Sequence, residues 1–189
     1  MAEPQWFLAE WEHPLGSFFW RIKAESAQQI RESLATIRVV TDPEYLAHRG
    51  EGDKRFDLND LSGDKLLTSL REDRDAQRDK PGFGALVGKE RVFLRFLPTN
   101  VTNECLREMN AEGHQVRQVE LRPDGTRVRS TETDWKNPAI DLYDPEYAAM
   151  EITEAEFECE WVDAAWRDDE LEGEPDRDSL YVWMWCRQP

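Results

Sequence analysis

Glu10, Glu12 and His13 lie within four residues of one another among several aromatic side chains. Two carboxylates and an imidazole can move protons in a reaction when burial or a neighbouring charge shifts their pKa values toward the working pH. Residues 6–13 alternate as a strand does, with Trp6, Leu8, Glu10 and Glu12 on one face and Phe7, Ala9, Trp11 and His13 on the other. The three groups are therefore not expected to converge on one substrate. The simpler expectation is a strand with a charged outer face and Glu10 opposite Arg21. A small cytoplasmic enzyme whose aromatic cleft uses Glu10, Glu12 or His13 stands as the alternative function.

Other motifs carry less. Gly82-Phe83-Gly84-Ala85-Leu86-Val87-Gly88-Lys89 has the look of a phosphate loop. A phosphate loop needs four residues between its first Gly and the Gly-Lys pair, then Ser or Thr for Mg²⁺, and it follows a strand. Here Phe83 stands where the first Gly belongs, Glu90 follows the Lys, and the glycines precede a strand. A hinge is the expected role. His13, His48 and His114 with Cys105, Cys159 and Cys186 lack C-x-x-C and H-x-x-x-H spacing, and no Ser sits in G-x-S-x-G. The expectation is no metal and no cofactor, with the odd number of widely spaced cysteines kept as reduced, half-buried thiols.

The strongest signal is electrostatic. Between Glu151 and Asp178 the chain has 13 acidic residues and two basic ones, Arg167 and Arg177, which holds −11 of the formal net charge of −16. Glu154, Glu156, Glu158, Glu160 and Asp163 fall on an expected helix, several of them on its solvated face. Asp168, Asp169, Glu170, Glu172, Glu174 and Asp176 crowd an expected loop, Asp168–Asp178, where like charges gain nothing locally. The calcium-loop spacing D-x-[DN]-x-[DN]-G is missing. After the acid comes Tyr181–Cys186, with Trp183 and Trp185 alternating against Val182, Met184 and Cys186. Such a strand is apolar on both faces, so it is covered on both sides or offers one face to a partner. Trp beside carboxylates is a common composition for protein recognition.

These residues need a frame. Residues 6–13, a turn at Pro14-Leu15-Gly16-Ser17, Phe18–Lys23, a helix from about 27 to 34 capped by Ser26, and Ile37–Val40 read as β-β-α-β. A helix beginning near Asp60 or Ser62 carries Leu66, Leu67 and Leu70 inward, and Arg71 can pair with Asp75. Val92–Leu97 reads as a buried strand and Thr102–Asn110 as a short helix. Gln115–Leu121 and Thr126–Thr133 form a hairpin around Arg122-Pro123-Asp124-Gly125. Thr153 and Glu156 open a capping box for a helix through about Trp166. The fold class is α+β, mainly antiparallel sheet with two to four short helices in two strand-rich halves. The expected domains are residues 1–80, a Gly-rich hinge or loop at 81–90, and residues 91–189.

Residues from about 92 to 163 resemble a small uncharacterised bacterial domain family of unknown function. The match rests on Val116–Leu121 with Pro123-Asp124-Gly125, on Asp144-Pro145-Glu146-Tyr147, and on Glu151-Ile152-Thr153 followed by Glu156-Phe157 and Trp161. The resemblance implies a compact α+β unit and brings no activity or site residues with it.

At 189 residues the chain can bury a proper core, and eight tryptophans argue against disorder. No apolar run approaches the ~20 residues of a membrane-spanning helix. Met1-Ala2-Glu3-Pro4 lacks the basic region and apolar stretch of a secretory signal, so the expected compartment is cytoplasmic. The net charge disfavours direct contact with nucleic acid or anionic lipid. The expected partner is a basic protein surface, on a nuclease, a toxin or a nucleic-acid-binding complex. It would be met by Asp168, Asp169, Glu170, Glu172, Glu174, Asp176, Trp183 and Trp185. The expected function is a non-catalytic inhibitor or immunity protein from a bacterium or phage, with a DNA mimic as a special case. A scaffold with no strong partner is the third possibility.

Overall fold

A computed structural model describes residues 3–13, 16–48, 53–97, 103–131 and 138–167. These divide into two units. The first comprises the residues up to Ala85 together with Ile140–Ala148; the second runs from Leu86 to Thr131 and resumes at Ala149.

The first unit holds a four-stranded sheet in the order β3-β1-β2-β4. Strands β1 (Gln5–His13) and β2 (Gly16–Ala24) pair antiparallel along their length, β3 (Arg38–Val40) adds antiparallel to β1, and β4 (Lys54–Asp57) adds parallel to β2. Helix α1 (Ala27–Ser33) starts where the sequence places it, because the Ser26 hydroxyl accepts a hydrogen bond from the Gln29 amide at 3.1 Å. A short helix, α2 (Pro43–His48), follows Asp42, whose carboxylate accepts from the Glu44 amide. Helix α3 (Lys65–Arg78) is capped by Asp64, which accepts from Leu66 and Leu67. One face of the sheet, with Ala9, Trp20, Ile22 and Ala24, packs against Ile30, Leu34, Leu67 and Leu70.

Two expected ion pairs are corrected here. Glu10 lies opposite Phe19, while Arg21 lies opposite Leu8. The register with β3 brings Arg38 beside Glu10 instead, and their side chains form an ion pair with Glu10 only 5% exposed. Asp75 pairs with Arg78 at 3.1 Å, and Arg71 donates to the Leu58 carbonyl.

Residues 140–148 complete this unit through Arg74, which is 1% exposed. Its guanidinium donates to both Asp141 carboxylate oxygens (2.9 and 2.7 Å), to the Leu34 carbonyl (2.9 Å) and to Gln77 Oε1 (2.9 Å), and it lies 5.0 Å from the Tyr143 ring. Asp141 also accepts from the amide of Thr36, whose φ of 53° puts a non-glycine residue in the left-handed region. The glycine-rich segment makes successive turns on the same surface. Gly84, at φ 67°, donates to the Tyr143 carbonyl, and a side chain at that position would meet the Tyr143 ring.

The second unit holds a five-stranded sheet in the order β5-β6-β7-β8-β9. Strands β5 (Arg91–Phe96), β6 (Glu104–Asn110), β7 (Gln115–Leu121) and β8 (Arg127–Thr131) are antiparallel neighbours, and β9 (Ala165–Trp166) joins β8 in parallel. The α+β class with two mostly antiparallel sheets is as the sequence indicates. Two local expectations are not. Glu104–Asn110 is a central strand and not a helix, with buried Leu106 and Glu108 facing one side. Helix α5 (Glu154–Asp163) stops short of Trp166, because Ala164 turns extended and buried and the chain enters β9. Helix α4 (Pro145–Ala149) is begun by Asp144. No helix among the described residues is long and apolar enough to cross a membrane.

Candidate functional site

The acidic run begins on α5, and the sheet beneath it decides what that acid can do. Thr153 and Glu156 form the full capping box: Glu156 Oε2 accepts from the Thr153 amide at 2.8 Å and the Thr153 hydroxyl accepts from the Glu156 amide at 3.2 Å. The bond from the Thr153 amide, with help from its hydroxyl, holds the Glu156 carboxyl below its ordinary pKa. Phe157 is thereby turned fully into the core against Phe93, Leu106 and Val119.

Three of the five carboxylates of this helix, and Glu151 just before it, are answered by cations of the same unit. Glu151 meets Lys89 at 2.6 Å, Glu154 pairs with Arg91, Glu158 with Arg117, and Glu160 with Arg127. Buried Glu108, on β6, is held by Arg117 and, at 3.4 Å, by Arg91. Burial works to lower the Arg117 pKa, yet its hydrogen bonds to Glu158 and Glu108 outweigh burial and hold it above the ordinary value. Exposed pairs of this kind are each worth only ~0–1 kcal/mol, but at longer range each cancels its own field. The expected solvated acidic face of the helix is therefore a partly neutralised one. Of the thirteen acids between Glu151 and Asp178, seven fall in Asp168–Asp178, where the sequence holds a single cation, Arg177.

The same arginines bind the helix by its rings. Arg117 lies over Phe157 (4.9 Å) and Trp161 (4.7 Å), and Arg129 lies over Trp161 (5.4 Å) and Trp166 (4.6 Å) while donating to the Trp161 carbonyl at 3.0 Å. Rings and guanidinium groups thus alternate from Phe157 to Trp166. Burial falls along the series: Phe157 is fully buried, Trp161 partly, and Trp166 is 55% exposed. This stack was not anticipated from sequence. Its signals were arginines on both strands of the hairpin, Arg117 and Arg129, and tryptophans five apart at 161 and 166.

Asp168, Asp169, Glu170, Glu172, Glu174, Asp176, Trp183 and Trp185, together with the expected strand Tyr181–Cys186, lie outside the described residues. Glu10 and Glu12 share a strand face, but Glu10 is engaged by Arg38 and Glu12 is exposed, so no paired-carboxylate arrangement forms there. An aromatic cleft of about 300 Å³ does occur in the first unit, lined by Phe18, Phe19, Trp20, Asp53, Lys54, Asp64 and Leu66. Its polar groups are structural: Asp64 caps α3 and accepts from the Trp20 indole at 3.0 Å. Cys105 is half-buried as expected, whereas Cys159 is exposed. No group of three or more His, Cys, Asp or Glu among the described residues could hold a metal ion.

Comparison with family models, with curated proteins and with solved structures finds no match to this chain.

Proposed function

We propose that this protein is a non-catalytic acidic binding protein that caps a basic surface of a partner protein, as an inhibitor or immunity protein of a nucleic-acid-processing enzyme or toxin does. The observation that carries this reading is the distribution of charge. Glu154, Glu158 and Glu160 of α5, and Glu151 just before it, have arginine or lysine partners in their own unit, whereas the sequence of Asp168–Asp178 sets seven carboxylates against one arginine. A surplus concentrated in eleven residues makes a local field that speeds encounter with a cationic groove and disfavours anionic competitors. Enzymes that handle nucleic acid present such grooves, and mimicry of DNA by a run of carboxylates follows from the same physics.

The competing enzyme reading has less support, since Glu10 is sealed in its ion pair and the aromatic cleft is bordered by Asp64, already committed to capping and to the Trp20 indole, and by Asp53, paired with Arg21 at 3.9 Å. Affinity capture at low salt, followed by elution at high salt and binding kinetics on the purified partner, tests the proposal. A captured protein with a strongly basic face and a salt-dependent on-rate supports it. Capture of an acidic or neutral partner whose on-rate ignores salt contradicts it.

A further inference from the structure

The first sheet turns a basic patch away from α1 and α3. Ala9, Trp20, Ile22 and Phe56 face those helices, so strand alternation points Trp6, Arg21, Lys23, Arg55 and Asp57 the other way. The register sets Lys23 between Trp6 and Asp57, and it sets Arg21 directly opposite Arg55. The Arg55 guanidinium lies 5.8 Å from the Trp6 ring centroid although β2 runs between their strands. The two side chains therefore meet over β2, whose own residues on that face are Arg21 and Lys23.

Three cations crowded together need a reason. Like charges directly opposite on neighbouring strands are destabilising, and a guanidinium largely out of water wants acceptors. The Arg21 side chain is 21% exposed, yet its guanidinium makes no hydrogen bond among the described residues, and the Asp53 carboxylate stands at 3.9 Å, longer than a hydrogen bond. Arg55 and Lys23 have no ion pair among the described residues. Asp57, beside Lys23, accepts instead from the two amides of Asn59 at 2.9 and 3.0 Å. The buried arginines behave otherwise: Arg74 and Arg117 both donate to carboxylates.

We infer that Arg21, Arg55 and Lys23 bind a phosphate group, free or carried on a small molecule. A carboxylate has two oxygens and one charge, which a single arginine fork satisfies. A phosphate monoester brings three acceptor oxygens and nearly two charges, enough to answer both forks and the ammonium. Trp6 acts as a positioning residue, since it holds the Arg55 plane by its face and leaves the N–H edges to the ligand. The chain's net charge of −16 favours a small ligand over nucleic acid. A small anion meets chiefly the charges within the Debye length of ~8 Å, whereas a long polyanion meets the rest of the surface as well. The site is separate from the acidic segment and does not rest on the function proposed above.

Isothermal titration of the full chain at low salt with inorganic phosphate, phenyl phosphate and benzoate tests the inference. We expect saturable binding of phosphate, with benzoate about tenfold or more weaker, the scale of one charge-assisted hydrogen bond lost. R21Q and R55Q should each weaken phosphate by a similar factor, with R21K and R55K intermediate because they keep the charge and lose the fork. W6L should weaken it less than R55Q does. Phenyl phosphate binding more tightly than inorganic phosphate would assign the site to an ester, and equal binding to phosphate itself. Arg55 is exposed, so R55Q reports on the site with the fold intact, as circular dichroism would verify. Absence of saturable phosphate binding, benzoate binding as tightly as phenyl phosphate, or R55Q binding phosphate as the wild type does would overturn the inference. The basic-partner reading would stand in each of those cases.

Discussion

Removing the charge of Arg74 while keeping its bulk, as R74M, should be among the most damaging single changes available in the first unit. The side chain is 1% exposed, and it satisfies both oxygens of Asp141, the Leu34 carbonyl and Gln77 at 2.7–2.9 Å. Methionine fills most of the space but leaves a buried carboxylate without its counter-charge and a buried carbonyl without its donor. Breaking a buried pair by deleting one partner costs about 3–5 kcal/mol, about a fifth or more of the ~5–15 kcal/mol that holds a typical domain. Asp141 keeps the Thr36 amide (2.7 Å) and the Tyr143 amide (3.1 Å) as donors, so the loss should sit toward the lower end. The double variant R74M/D141N removes both charges, and its cost should fall short of the sum of the single variants by about 1–3 kcal/mol. Urea unfolding gives the free energies, and hydrogen exchange should show amides near Thr36 and in residues 140–148 losing protection first. A loss under ~1 kcal/mol for R74M, or additivity of the two changes to within ~0.5 kcal/mol, would refute the claim that this pair fastens residues 140–148 to the unit.

Other expectations follow from the same structure. T153A removes the hydroxyl half of the α5 capping box and should cost about 1 kcal/mol, read by urea unfolding with protection lost first at the start of α5. Asp144 is half-buried, and burial, the largest influence on it, raises its carboxyl pKa. Its contribution to stability is thus fullest below the unfolded carboxylate pKa and is lost as pH rises through the raised folded value. D144N should accordingly raise Tm at neutral pH, and the gain should vanish on acidification. W166L should leave Tm within a few degrees of wild type, because the ring is exposed and its strand has only two residues.

The legible parts of the fold are those written locally. Ser26 and the Thr153–Glu156 pair each cap the helix they precede, and Pro123-Asp124-Gly125 turns the hairpin between β7 and β8. Glu104–Asn110 was opaque because Glu, Leu, Arg and Met all suit helices; its neighbours β5 and β7 impose the extended form, and tertiary pairing overrides propensity. Glu10 read as a surface charge because its partner Arg38 arrives from 28 residues away on β3. The return of residues 140–148 depends on Asp141 finding an arginine 67 positions earlier, which no local pattern announces. For the site, the acidic concentration was plain in the sequence. What sequence could not give was the cancellation on α5, since it needs the strand register that sets Arg91, Arg117 and Arg127 beneath the helix, and with it the stack that leaves Trp166 outermost.

The central claim is that the acid concentrated in the sequence of Asp168–Asp178 steers a basic partner. Stopped-flow association of the captured partner with wild type and with D168K/D169K/E170K, across a tenfold range of salt, tests it most directly. The account predicts a wild-type on-rate that falls steeply as salt rises, a charge-reversed on-rate far lower at low salt, and curves that converge at high salt where both fields are screened. On-rates that stay equal for the two proteins and flat across the whole range would contradict it.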